Sequence, residues 1–407
     1  MPAETLRCIS CGETVSIALM PSTCASCGGI LNYVGPAATH GRDDGTDADH
    51  PADPNSLWQW AEFLPHCAPA NRITLGEARS PLLECGRIGR DAGLADFWIK
   101  NDSVMPTGSF KDRAIALAVS LALEHGREGL VLSSSGNAGA SGAAYAARAG
   151  LPIVVLVPET APAAKLRQIA ITGARLVTVA GATSDCCRMA AALAAERGWV
   201  NLTTTFHNPY GVDGYATIAY ELAPLKPDVV LLPISSGPLL AGVMKGFEAM
   251  KAAGRIGRIP RPVAIQAAAC APIAKAFAEG GDVSPWQHRA TIASALNDTL
   301  AGYERDGDYT LHWIRKYGGA ATAVDDDAIA DAVRRLARRE GIVLEPSAAV
   351  PIAALSDLRE RGIITPGERV VAVATGHGLK DLSCAPEPDL EAPISADAGS
   401  DAVLTSI

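Results

Sequence analysis

The 407-residue sequence is poor in aromatics, at 5%, and has no excess of positive charge, its formal net charge being −9. That balance argues against a nucleic-acid surface, which needs a basic face to meet phosphates. Long apolar runs are also missing. The longest, at 153–157 and 229–234, fall far short of the ~20 residues that span a bilayer. The opening MPAETLRC has no apolar stretch of the kind a secretory signal carries. These absences predict a soluble, cytoplasmic chain with no membrane or nucleic-acid partner. Two nucleotide signatures are lacking as well. No Walker lysine follows a glycine-rich loop, and no G-x-G-x-x-G follows the early strands, which disfavours an NTP site and a Rossmann dehydrogenase.

What is present is ordinary for a soluble globular protein: 48% hydrophobic and 19% charged residues. The length suits two or three domains. Abundant alanine and glycine suit close packing of helices on a sheet better than an aromatic-rich binding face.

Four of the ten cysteines form two CxxC pairs near the N-terminus: Cys8 with Cys11, and Cys24 with Cys27. Each pair lets two thiolates converge on one ion, and the following glycines (Gly12, Gly28) permit the tight turns. Four sulfurs satisfy tetrahedral Zn²⁺ and leave no open position, so the role expected is structural. A segment this short needs the metal to fold. The competing readings of the spacing are a disulfide pair and a knuckle that has lost its metal. The other six cysteines show no ligand spacing and read as free thiols. Residues 1–34 are thus expected as a zinc ribbon. Residues 35–56, rich in Pro, Gly, Asp and Ala, are expected as a linker, and 386–407 as a disordered tail.

Between them, short apolar runs alternate with alanine-rich amphipathic stretches. Strands are expected at 96–100, 129–133, 152–157, 175–179, 229–234, 263–266 and 369–374. Helices are expected at 113–125, 138–148, 163–172, 183–197, 214–222, 239–252, 325–340 and 347–361. The alternation predicts an α/β fold with parallel sheets covered on both faces. Ligands in such folds bind at the carboxyl ends of strands.

Four strand-end loops carry chemistry. PTGSFKDR (106–113) sets Lys111 at the head of a helix, whose positive end lowers a lysine pKa and exposes a nucleophilic amine. Taken alone, the motif reads first as a solvated lysine flanking a helix, and only the other loops turn that reading. LSSSGNAGAS (132–141) ends a strand in small residues that let backbone N–H groups approach an anion, with Asn137 able to donate to a ring oxygen. LLPISSGPLLAG (231–242) places hydroxyls and free helix-terminal N–H groups as an anion cradle. VAVATGHGLKD (371–381) closes a strand at Thr375, with Gly376 and Gly378 leaving room for a planar ligand. His377 reads as a turn histidine.

In this order the four loops resemble the pyridoxal-phosphate enzymes of fold type II, and among them the threonine synthase family. PTGSFKDR looks like that family's cofactor-lysine motif. EPSAA (345–349) and TGHGLKD (375–381) are similar to it too. The resemblance spans about residues 75–381. It implies two parallel-type αβα sandwich domains plus the N-terminal four-cysteine zinc ribbon. The catalytic region would cover 57–385, with a smaller domain at about 103–222 inserted in the larger one. It also implies roles. Lys111 would carry pyridoxal 5′-phosphate and act as acid and base at Cα. Phe110 would lie against the ring, Asn137 would meet the ring 3′-oxygen, and Thr375 the ring nitrogen. Ser235, Ser236, Gly237, Pro238, Leu239 and Leu240 would cradle the phosphate. Ser134, Ser135 and Gly136 would hold the substrate carboxylate. The implied reaction converts O-phospho-L-homoserine and water to L-threonine and phosphate, in a homodimer.

The chain departs from the family pattern at two places. Gly211 stands where NPYR would put an arginine, and TIASALNDTLAG (291–302, including Asn297) replaces A-x-x-IGNP. Lys165 and Arg167 are candidates for compensating charge. The alternatives are β-elimination or β-replacement on a serine, phosphoserine, threonine or diaminopropionate-type amino acid, a cysteate synthase-like reaction, or a non-catalytic binding module.

Overall fold

A computed structural model describes residues 4–35, 53–161, 163–203, 205–287 and 290–388. Residues 389–407 of the tail expected at 386–407, and most of the linker expected at 35–56, lie outside these residues.

Three sheets organise the chain. The N-terminal one is a small antiparallel ribbon ordered β2-β1-β3, from β1 (Thr5–Cys8), β2 (Thr14–Ser16) and β3 (Leu31–Val34). The largest has six strands. Its members are β4 (Leu82–Glu84), β5 (Asp96–Asn101), β10 (Val229–Pro233), β11 (Arg261–Ala267), β12 (Ala320–Val324) and β13 (Arg369–Ala374), in the order β12-β11-β10-β13-β5-β4. It is parallel except at its edge, where β4 pairs antiparallel with β5. The third, fully parallel, is ordered β8-β7-β6-β9 from β6 (Leu130–Ser133), β7 (Ile153–Pro158), β8 (Arg175–Val179) and β9 (Val200–Asn201). β10 is buried at every position (VVLLP), as expected of a central strand covered on both faces.

The helices are α1 (Gly86–Asp91), α2 (Lys111–Glu124), α3 (Asn137–Ala149), α4 (Ala163–Ala170), α5 (Thr183–Arg197), α6 (Pro209–Leu222), α7 (Pro238–Ala252), α8 (Pro272–Glu279), α9 (Glu304–Lys316), α10 (Asp326–Glu340), α11 (Pro346–Ala353) and α12 (Leu355–Glu360). The helix expected at 347–361 is therefore two helices. Pro351 lies inside α11, where it removes an N–H and crowds the preceding turn. Helices α2, α6 and α7 pack together, and glycines allow their close approach. A Cβ on Gly214 would come within 2.4 Å of the Arg113 carbonyl oxygen, and one on Gly242 within 2.3 Å of that of Val212. That contact between backbones is what the small-residue composition provides.

No helix among the described residues is long and apolar enough to cross a membrane. None of the ten cysteines is in a disulfide.

Candidate active site

The loops singled out in the sequence meet at strand ends. The Phe110 N–H donates to the Thr375 carbonyl at 2.9 Å, and the His377 N–H to that of Gly108 at 3.0 Å. PTGSFKDR and TGHGLKD are thus sewn together. The Glu345 N–H donates to the Gly376 carbonyl at 3.1 Å, which brings in EPSAA. Asn137 then closes the ring, its Nδ2 donating to Glu345 Oε1 at 2.8 Å.

Inside this ring, Lys111 is the first residue of α2, after Phe110 at the cap position. Part of its side chain stays accessible, while its amine lies deep in protein. Nζ donates to Tyr215 Oη at 3.3 Å and sits 4.5 Å from the Phe110 ring centroid. The Phe110 and Tyr215 rings stack at 5.1 Å. Burial lowers the Lys111 pKa to about 7, against the opposing pull of the Glu345 charge. A large fraction of the amine is therefore neutral and nucleophilic at physiological pH. Glu345 itself is pushed up by burial, with Lys380 and the Asn137 hydrogen bond pulling it back.

The residues flanking Lys111 fix its turn. Asp112 is fully buried; it accepts from the Thr107 N–H at 2.7 Å and from Ser141 Oγ at 2.6 Å. Burial pushes its carboxyl up to about 6, moderated by the Ser141 and Thr107 hydrogen bonds. Arg113 is fully buried as well. It makes a two-pronged contact with Asp102, at 2.7 and 3.1 Å, and another with Glu221, at 2.6 and 2.9 Å. It anchors the motif rather than facing a ligand.

Ser235, Ser236, Gly237, Pro238, Leu239 and Leu240 run from the end of β10 into α7, with Pro238 as its first residue. The N–H groups of Leu239 and Leu240 have no partner within the helix, as in any first turn. Gly237 has φ +105°, and a Cβ there would lie 2.1 Å from Thr310 Oγ1. A narrow pocket, with no room for a water-sized sphere, opens beside Pro238, lined by Ala114, Thr205, Asn208, Gly211, Val212 and Tyr215. Asn208 is 1% exposed, and its Nδ2 has no hydrogen-bond partner. Its Oδ1 caps α6 through the Gly211 N–H. An orphaned buried amide donor beside a glycine-opened helix N-terminus suits an anionic group.

Ser134, Ser135 and Gly136 lead into α3, all half-buried, and Ser134 Oγ accepts from the Gly136 N–H at 3.1 Å. Thr375 is 5% exposed at the end of β13. His377 is a turn residue, its Nδ1 accepting from the Leu379 N–H at 3.1 Å. Lys165 reaches Ser294 Oγ at 3.0 Å, whereas Arg167 is exposed. Sequence reasoning passed over Tyr215, Asn208 and the Glu345 carboxylate. Tyr215 sits mid-helix with only helical periodicity to mark it, so no local pattern points to it.

The Sγ atoms of Cys8, Cys11, Cys24 and Cys27 all lie within 4.8 Å of one another. Cys8 and Cys27 are 3.5 Å apart, Cys11 and Cys24 3.7 Å. Tetrahedral zinc with ~2.3 Å bonds sets its sulfurs about 3.8 Å apart, so the donor set fits such an ion.

A lysine amine with a burial-lowered pKa at a helix head, an aromatic ring against it and free helix-terminal N–H groups at the start of α7 are the kinds of group a phosphorylated aldehyde cofactor needs on an α/β scaffold. A family profile described as pyridoxal-phosphate dependent enzyme matches residues 73–376. The threonine synthase of Methanocaldococcus jannaschii is 35% identical over 385 residues, covering 93% of each chain. That of Methanosarcina acetivorans is 32% identical over 409 residues, 99% of this chain and 98% of the relative. Among solved structures, maize serine racemase superposes with a TM-score of 0.64 at 24% identity, over 74% of this chain and 88% of that one. Diaminopropionate ammonia lyase from Escherichia coli does so at 0.62 and 18%, over 79% and 93%; these likenesses concern the fold alone. The chain belongs to the pyridoxal-phosphate-dependent enzymes of fold type II, in the threonine synthase family.

Proposed function

We propose that the protein converts O-phospho-L-homoserine and water to L-threonine and phosphate. What supports the reading is the meeting of the Lys111, Asn137 and Thr375 loops through backbone and side-chain hydrogen bonds, in a chain 35% identical to a threonine synthase over almost its whole length.

Pyridoxal 5′-phosphate, when bound, supplies the electron sink for carbanion chemistry. The chain's residues supply placement and proton transfer. Ser235, Ser236, Gly237, Pro238, Leu239 and Leu240 hold the phosphate through hydroxyls and α7 N–H groups. Phe110 would lie against its ring, Asn137 would meet its 3′-oxygen, and Thr375 would offer a hydroxyl to its nitrogen. Glu345 fixes the Asn137 amide by accepting its Nδ2 proton. Ser134, Ser135 and Gly136 hold the substrate carboxylate at the head of α3. Lys111 anchors the cofactor and, once free, takes and returns the proton at Cα. Its burial-lowered pKa matches that task near neutral pH. Cys8, Cys11, Cys24 and Cys27 hold a structural zinc ion, and a smaller lobe of about 103–222 forms one wall of the site.

One observation favours a second reading, elimination or replacement on a serine-type amino acid. Gly211, where the family pattern NPYR would put an arginine, is buried in the first turn of α6 and supplies no cation there. The holoenzyme given O-phospho-L-homoserine should yield threonine and phosphate in equal amounts. No turnover there, with ammonia and keto acid released from serine-type substrates, replaces the first reading with the second.

A further inference from the structure

The four-cysteine ribbon does not stand apart from the site. Its second knuckle grips the first two turns of α6, whose other face walls the pocket. Tyr210, 1% exposed, donates through Oη to the Pro21 carbonyl at 2.9 Å, three residues before Cys24. Its ring shares a buried core with Cys8, Cys24 and Leu31. Ile30, just past the knuckle, is buried with Phe206, Val212 and Tyr215.

A second route passes through α9. Arg305 Nη1 donates to the Gly28 carbonyl at 2.6 Å, and Asn32 Nδ2 hydrogen-bonds the Tyr309 hydroxyl. The Tyr309 ring meets Phe206 edge-on at 5.2 Å. Both routes end on residues 206–215. Asn208, Gly211, Val212 and Tyr215 of that segment line the pocket, and Tyr215 touches the Lys111 amine.

We propose that the ribbon is a positioning device for the pocket wall. With metal on its four cysteines, it holds the head of α6 so that Asn208 and Tyr215 face the pocket, and Tyr210 is the positioning residue that transmits the hold. The reason is physical. A ribbon of this size has too little core to keep its shape without a metal. Losing the metal therefore withdraws the Pro21 and Gly28 carbonyls and the Ile30 side chain together. The four sulfurs are placed for the ion, while the contacts that matter for the site come from the knuckle's backbone.

The claim rests on the cofactor-site reading only for its consequence in catalysis, so its test reads the backbone. Hydrogen exchange of the full-length protein is followed by mass spectrometry in four states: zinc-loaded, chelator-treated, chelator-treated with zinc restored, and zinc-loaded Tyr210→Phe. Loss of one buried hydrogen bond predicts about fivefold faster exchange at 205–215 in Tyr210→Phe, with the ribbon peptides still protected and zinc retained. Chelation should raise exchange at 205–215 further, and zinc should reverse it. Unchanged exchange at 205–215 when the ribbon peptides have opened overturns the proposal. Should chelation unfold the whole chain, Tyr210→Phe decides, and unchanged exchange at 205–215 in that variant overturns it equally. In the same variant the dissociation constant for pyridoxal phosphate should rise. A wild-type protein that binds no cofactor at all would count against the enzyme reading and leave the exchange result standing.

Discussion

Replacing Lys111 by methionine in the cofactor-free protein should make it more stable, by an amount that depends on pH in a defined way. The amine titrates at 10.5 when ordinary, and burial brings it to about 7 in the folded protein. Folding at pH values below 10.5 therefore forces a charged amine to lose its proton or to be buried charged. The neutral amine's contribution is fully present above 10.5 and is lost as pH falls through about 7. Linkage between these two values puts the cost of keeping lysine at up to about 3 kcal/mol at pH 8, and close to zero above pH 10.5. Methionine fills a similar volume with no charge. It gives up the 3.3 Å contact with Tyr215, worth about 1 kcal/mol or less at that length, and the approach of Nζ to the Phe110 ring. Urea unfolding of both apo-proteins between pH 6 and 10 reads the difference directly. A stabilisation that fades as pH rises supports the reasoning. A destabilised variant, or a difference that ignores pH, refutes the claim that the site strains its lysine toward the neutral form.

Three further outcomes follow from the geometry. Arg113→Met leaves Asp102 and Glu221 buried without their main cation, and should cost about 3–5 kcal/mol in urea unfolding; a loss under 1 kcal/mol would mean that water compensates them. In the wild type, burial raises the Glu221 carboxyl, but Arg113 and then Lys100 pull it down to about 2. The stability that this pair contributes is present above the ordinary 4.5 and should be lost as pH falls toward 2. Gly237→Ala would need a Cβ 2.1 Å from Thr310 Oγ1 at φ +105°. Its dissociation constant for pyridoxal phosphate should rise at least tenfold, roughly the effect of 1.4 kcal/mol, and an unchanged constant would remove this loop from the cradle.

Much of this architecture is written locally in the sequence. Strand β10 and, after Arg369, β13 are apolar runs ending in Ser/Gly/Thr loops, and α10 is capped by Asp325, whose side chain accepts from the Ala328 N–H. Elements without such marks were missed. β12 reads AATAV, short and weakly apolar, and α9 opens with the polar ERDGD. Both owe their state to what they pack against. The site divides in the same way. Lys111 and Asn137 stand in loops with recognisable chemistry. Tyr215, Asn208 and Tyr210 act only because α6 is wedged between pocket and ribbon, and a contact across more than a hundred residues leaves no spacing to read. Arg113 shows the converse. It is part of the legible motif, yet its partners Asp102 and Glu221 make it an internal anchor.

The central claim is that one particular amine carries the cofactor. Borohydride reduction of the holoenzyme followed by peptide mass mapping tests it directly. The account predicts a stable pyridoxyl adduct on Lys111, absent from Lys111→Ala. An adduct on Lys100, Lys165, Lys380 or any other lysine would contradict it.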